Sequence, residues 1–332
     1  MTCVDRLVCP GLRSIAERNR HQDMDIEIIN PELRMRYRMF PDLPYHRPAL
    51  RPALRVLLRV LGNSGPVRGV SVKTHRVEEA QVRLYRPPQA ASGAGLLWMH
   101  GGGYIVGCAA QDDRRCSSLA RELGLVVISV DYRLAPEQPF PAALDDCREA
   151  WDWLQVHADE LGVDKRRVAI AGESAGGGLA ACLAQRLCDE GGVQPAAQVL
   201  CYPMLDDRTT AEVEWDSAHH LVWNNENNRG GWSAYLGCDP GSERVPDYAV
   251  AARRVDVSGL PPAWIGVGDK DLFYGENRRY AERLSEAGVP CELDVVPGAP
   301  HAFPVVAPKA AVSIAFVARM TAFLRQSLIH SS

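Results

Sequence analysis

The chain has 332 residues, 46% of them hydrophobic and 23% charged, with a formal net charge of -4. That length and balance fit one large α/β domain or two ordinary ones with a sizeable core, and exclude a disordered or fibrous chain. The mild charge gives no electrostatic support for binding nucleic acid or a membrane surface.

From the N-terminus, residues 1 to about 65 are punctuated by Arg and Pro, with helical periodicity around Ile26-Ile28-Ile29 and Leu54-Val56-Leu57-Leu58-Val60-Leu61. Such a segment cannot hold a core alone and is expected to pack on something later in the chain. Val70-Ser71-Val72-Lys73 and Ala80-Gln81-Val82-Arg83-Leu84-Tyr85 alternate apolar and polar residues, which predicts antiparallel strands with one wet face. The pattern then changes to short continuous apolar runs at 95–99, 125–130, 168–170 and 197–200, alternating with helical patterns over 142–158 and 175–189. This rhythm predicts an α/β protein with a mostly parallel central sheet and helices on both faces. Between Tyr202 and Leu260 the rhythm breaks, and the stretch holds Trp215, Trp223, Trp232 and the pair His219-His220. A structureless loop of that length is improbable, so it reads as an inserted helical segment that joins the N-terminal helices as a lid. The alternation resumes with Ala263–Val267, a helix over 275–287, the strand Cys291–Val296 and a final helix near 309–327.

Four of the strand ends carry chemistry. His100-Gly101-Gly102-Gly103-Tyr104 follows the strand ending at Met99. Consecutive glycines leave backbone N–H groups unshielded and able to converge on a developing alkoxide. Gly172-Glu173-Ser174-Ala175-Gly176 ends an apolar run and opens a small-residue helix, the layout of a nucleophile elbow. There the Ala175 N–H adds a donor and the helix N-terminus faces the reacting centre. A serine hydroxyl needs a base, and the base needs an acid to fix its tautomer. Among the nine histidines, only His301 falls in a loop just past the last strand. His21, His46 and His75 precede the serine, His157 lies in a helix, His219 and His220 in the insertion, and His330 in the tail. For the acid, Gly268-Asp269-Lys270-Asp271-Leu272 offers Asp271 first and Asp269 second, while Asp206 and Asp207 come too early.

These motifs, with Asp131-Tyr132-Arg133-Leu134-Ala135-Pro136-Glu137 and Phe140 to Asp146, make the chain from about residue 70 resemble a bacterial hormone-sensitive-lipase-type carboxylesterase, a branch of the α/β-hydrolases. The resemblance implies Ser174 as nucleophile, Asp271 as orienting acid and His301 as base. It implies Gly102, Gly103 and Ala175 as the oxyanion hole. It also implies a lid built from residues 1–65 and 205–260 over a catalytic domain of 66–204 and 261–332. His100, Tyr132 and Arg133 read as scaffold. The chain departs from the family at Glu173, where Asp or Thr is usual. Gly275 stands in the segment after Asp271 where Asp is usual, and Ala302 stands where Gly is usual.

The expected reaction is hydrolysis of short-to-medium acyl esters through an acyl-enzyme, without cofactor or metal. An amidase or deacetylase with the same groups, or a non-catalytic binding protein on the same fold, are the alternatives. The ten scattered cysteines form no C-x-x-C pair, which removes the spacing of zinc sites and predicts buried reduced thiols. Met1 to Arg20 has no apolar core and no 18-residue apolar run occurs, so a cytoplasmic location is expected. The expected partner is a small-molecule ester, with a homodimer compatible and neither nucleic acid nor membrane.

Overall fold

The computed structural model describes residues 26–40, 43–61, 65–88, 92–212 and 220–329. The expectations attached to the first 20 residues, Cys3, Cys9, His21, Trp215, His219 and His330 lie outside these residues. Eight strands form one sheet in the order β1-β2-β4-β3-β5-β6-β7-β8. β1 (Ser71–Val77) and β2 (Ala80–Arg86) make an antiparallel hairpin, and β2 pairs antiparallel with β4 (Val126–Asp131). From β4 onward every pairing is parallel, through β3 (Gly95–Met99), β5 (Val168–Glu173), β6 (Ala197–Cys201), β7 (Ala263–Gly268) and β8 (Cys291–Val296).

The residue pattern explains the layering. β3, β5, β6 and β7 are buried at every position, as strands covered on both faces must be. Along β3 the side chains alternate between two cores, Leu97 and Met99 into one and Leu96 and Trp98 into the other. The first core is closed by the helices α4 (Ala142–Val156), α5 (Ala175–Glu190) and α7 (Tyr274–Glu286), the second by α3 (Asp113–Leu123) and α8 (Ala311–Ile329). α3 escaped the sequence reading. Its Cys116, Leu119, Ala120 and Leu123 are buried at helical spacing.

α8 is long and apolar enough by composition to cross a membrane. It carries Arg319 and Arg325, yet buries Phe316, Met320, Leu324 and Leu328 in the second core. It is a core helix.

The N-terminal helices α1 (Pro31–Met39) and α2 (Arg51–Leu61) fold back onto the strand ends. Leu33 and Tyr37 of α1 join the second core, and Leu54 of α2 the first. The insertion contains α6 (Asn225–Leu236), whose Trp232 and Tyr235 are buried against Tyr104. It meets the N-terminal segment directly, because Asn227 accepts the His46 N–H at 3.0 Å and donates to the Leu43 carbonyl at 3.1 Å. All eight cysteines among the described residues are free. Cys188 and Cys291 are only half-buried, and Cys238 is exposed on the surface turn after α6, contrary to the expectation of burial.

Candidate active site

Parallel strands end at one edge of the sheet, so the turns after β3, β5 and β7 and the loop after β8 converge there. The turn from β5 into α5 is the tightest. Ser174 adopts φ 54° and ψ -121°, a region unfavourable for any residue with a side chain. A Cβ on Gly172 would lie 2.3 Å from the Gly176 carbonyl oxygen, and one on Gly176 would lie 2.2 Å from the Met99 oxygen. Only glycine fits at either position, and the close approach presses the elbow onto the end of β3.

Ser174, Asp271 and His301 come together from three turns and are buried, at 6%, 4% and 3% exposure. Ser174 Oγ lies 2.9 Å from His301 Nε2, and His301 Nδ1 lies 2.8 Å from Asp271 Oδ2. A carboxylate oxygen accepts, so Nδ1 carries the proton and Nε2 faces the hydroxyl as acceptor. Asp271 is held by the Phe273 N–H at 2.9 Å on its other oxygen. Asp269 is turned elsewhere: it accepts the Gly298 N–H at 2.6 Å and braces the loop that carries His301. α1 braces the same loop. Tyr37 Oη donates to the His301 carbonyl at 2.7 Å, and burial, then the Asp271 charge, push the Tyr37 phenol well above its ordinary range.

The glycine loop lies against Ser174. The N–H groups of Gly102, Gly103 and Ala175 have no protein acceptor among the described residues, and Ala175 opens a helix whose first N–H groups are unsatisfied by geometry. His100 is stacked on Tyr132 at 4.1 Å, and its Nδ1 lies 2.8 Å from the Gly101 oxygen. Burial pushes the His100 imidazole down, so the ring stays neutral. Tyr132 Oη donates to the His100 carbonyl, and Arg133 binds Asp146 through its backbone N–H and guanidinium. From α2, Arg55 donates to the carbonyls of Ile105 and Ala135 at 2.8 Å each.

Gly103 has φ +57°, and a Cβ there would fall 2.0 Å from the Trp223 ring. The indole therefore sits directly on the loop. Val222 before it has φ 72°, strained for a β-branched residue.

The sequence reading missed Tyr37, Arg55 and the partners of Glu173. Only Arg55 left a trace, an arginine interrupting an apolar helical stripe. Of the remaining candidates, Asp206 and Asp207 are ion-paired with Arg208 and Arg253. His46 bonds Asn227, and His157, expected in a helix, instead caps the C-terminus of α4, its Nδ1 2.8 Å from the Trp153 carbonyl. A cavity of about 1100 Å³ is lined by residues from 243 to 255 and not by Ser174, and its Arg253 and Arg254 are already paired with Asp207 and Asp189. No group of side chains suited to a metal ion occurs among the described residues.

Residues 96–305 match the model of a family described as having the alpha/beta hydrolase fold. The chain belongs to that family, on its hormone-sensitive-lipase-like carboxylesterase branch. This hydrolase is 36% identical to the ethyl acetate hydrolase of Pseudomonas putida, over 71% of this chain and 75% of that one. It is 37% identical to the carboxylesterase NlhH of Mycobacterium tuberculosis, over 69% and 74%. Among solved structures, a bacterial heroin esterase superposes with a TM-score of 0.85 at 35% identity, covering 91% of the hydrolase and 99% of the esterase.

Proposed function

We propose that this hydrolase cleaves small, uncharged carboxylic esters with short-to-medium acyl groups through an acyl-enzyme on Ser174. The observation that carries the reading is the continuous relay Ser174 Oγ to His301 Nε2 at 2.9 Å and His301 Nδ1 to Asp271 Oδ2 at 2.8 Å. Oγ attacks the ester carbonyl while its proton passes to Nε2, and Asp271 stabilises the imidazolium that forms. The carbonyl oxygen, now an anion, takes hydrogen bonds from the N–H groups of Gly102, Gly103 and Ala175. Each such donor contributes about 3 kcal/mol to the transition state. Collapse breaks the C–O bond, and the proton on Nε2 goes to the departing alcohol. Water then attacks the acyl-enzyme with its proton going to His301, and the acid leaves as Ser174 recovers its own.

A carbonyl oxygen seated on the Gly103 N–H brings one substituent of the ester beside Gly103. The Trp223 ring packs on Gly103, and on this reading it limits the room for that substituent and favours a short group. The relative named ethyl acetate hydrolase points the same way. The reading carries with it a cytoplasmic enzyme that needs no cofactor and acts on a small-molecule partner.

The test is a p-nitrophenyl ester series from acetate to palmitate. Wild type should turn over the short members, with kcat falling by about a thousandfold or more in Ser174→Ala. Trp223→Ala should move the optimum to longer chains. Turnover that survives Ser174→Ala would remove the assignment of the nucleophile, and an unmoved optimum in Trp223→Ala would remove the role of the indole.

A further inference from the structure

Next to Ser174 lies a buried ionisable group that the hydrolytic steps leave unused. Glu173, the last residue of β5, is 5% exposed, and its side chain points to the face of the sheet covered by α3. Its Oε2 accepts the Tyr202 hydroxyl at 2.8 Å and faces Arg115 Nε at 3.7 Å. Asp112, which accepts the Trp98 N–H at 2.8 Å, is beside it. Burial, then the charge of Glu173, push the Asp112 carboxyl well above its ordinary range.

Tyr202 connects this group to the base. Its ring meets the His301 imidazole edge-on, with centroids 5.1 Å apart at 77°, while Phe273 meets the imidazole at 5.2 Å and 87°. Tyr202 pays a conformational penalty to stand there: φ is 39°, in the left-handed region that aromatic residues avoid. The flanking backbone is tied to the nucleophile on both sides, because the Ser174 N–H donates to the Cys201 carbonyl at 2.9 Å and the Met204 N–H to the Ser174 carbonyl at 3.0 Å.

Two hydrogen bonds and the bond to Cβ place the imidazole, and the rings packed against it restrict the χ1 and χ2 motion that remains. We propose that Glu173 and Tyr202 are positioning residues for His301: the Glu173 carboxylate locks the Tyr202 hydroxyl, and the Tyr202 ring, with Phe273, holds Nε2 on Ser174 Oγ. Glu173 is joined to Ser174 through the chain and to His301 through Tyr202, so one side chain sets the separation of nucleophile and base. The inference rests on the reading of Ser174 and His301 as that pair.

Steady-state kinetics on p-nitrophenyl acetate with Tyr202→Phe, Glu173→Asp, Glu173→Gln and the double variant Glu173→Asp/Tyr202→Phe test it, with Ser174→Ala as control. Tyr202→Phe keeps the ring and drops only the hydroxyl, and Glu173→Asp withdraws the acceptor by one methylene. Both should lower kcat by about fivefold or more, short of the roughly hundredfold that a misplacement of about 1 Å brings, with KM within about twofold. Glu173→Gln keeps an acceptor oxygen and should retain more kcat than Glu173→Asp. The double variant should lose no more than the worse single one, as residues acting through one contact do. Unchanged kcat in Tyr202→Phe, or additive losses in the double variant, overturn the proposal even if melting temperatures fall. Should Glu173→Asp fail to fold, the near-isosteric Tyr202→Phe decides alone. An inactive Ser174→Ala beside a fully active Tyr202→Phe defeats only the positioning role, whereas an active Ser174→Ala defeats the underlying reading as well.

Discussion

Two aspartates two residues apart follow β7, and only their directions tell them apart. Asp271 reaches His301 Nδ1 at 2.8 Å, while Asp269 reaches the Gly298 N–H at 2.6 Å. Asp271→Asn should therefore lower kcat by about ten-thousandfold, since an amide at that place favours the wrong imidazole tautomer. Asp269→Asn should cost far less, because an amide oxygen can still accept from Gly298. Equal losses in the two variants, measured on one ester, would remove Asp271 from its special place. Ser174, His301 and the three glycines were legible because each sits beside a recognisable strand end. The sequence ranked Asp271 ahead of Asp269, the order in which the structure turns them to His301; the reason was not legible, because it depends on how a short turn twists.

At the scale of elements, the N-terminal helices act as clamps on loops they do not follow in sequence. α1 holds the loop that carries His301 through Tyr37 and through the Asn30 N–H, which donates to the Gly298 carbonyl at 2.8 Å. α2 holds the glycine loop through Arg55, whose guanidinium also meets Glu137 at 2.8 Å. Tyr37→Phe should destabilise the fold by about 1 kcal/mol, the usual worth of a buried hydrogen bond. Arg55→Ala leaves two carbonyls without their donor and should cost roughly 2 kcal/mol, with a lower kcat as the loop loosens. Thermal melts paired with kcat would check both, and an Arg55→Ala enzyme with wild-type melting and wild-type kcat would contradict the clamp. The β-α alternation was readable because burial on both faces demands unbroken apolar runs. That the N-terminal segment packs on a later part was expected, but the partners of these clamps were unreadable, since they join positions up to 264 residues apart with no local periodicity.

Across the whole molecule, the buried carboxyl groups tie stability to pH. Burial raises Asp112, helped by the charge of Glu173, and burial raises Glu276 despite the Thr209 hydroxyl and the Leu205 N–H that it accepts. A raised carboxyl keeps in the fold a proton that the unfolded chain releases in the ordinary carboxylate range. Unfolding above that range thus sheds protons, and stability falls as pH rises through the raised values. Melting temperature should decline on that side, and Asp112→Asn, which mimics the protonated acid, should flatten the decline. A slope unchanged by Asp112→Asn would assign the loss to other groups.

The bond from Tyr37 to the His301 carbonyl also has a meaning in time. During synthesis α1 emerges early, while the loop that its buried face packs against is made 264 residues later. Ile29, Leu33 and Tyr37 must wait for partners such as Ala299 and Phe303. Of the groups proposed for catalysis, the base is the last to be made and the one whose surroundings draw on both ends of the described fold. A lesion near either end therefore reaches the same histidine.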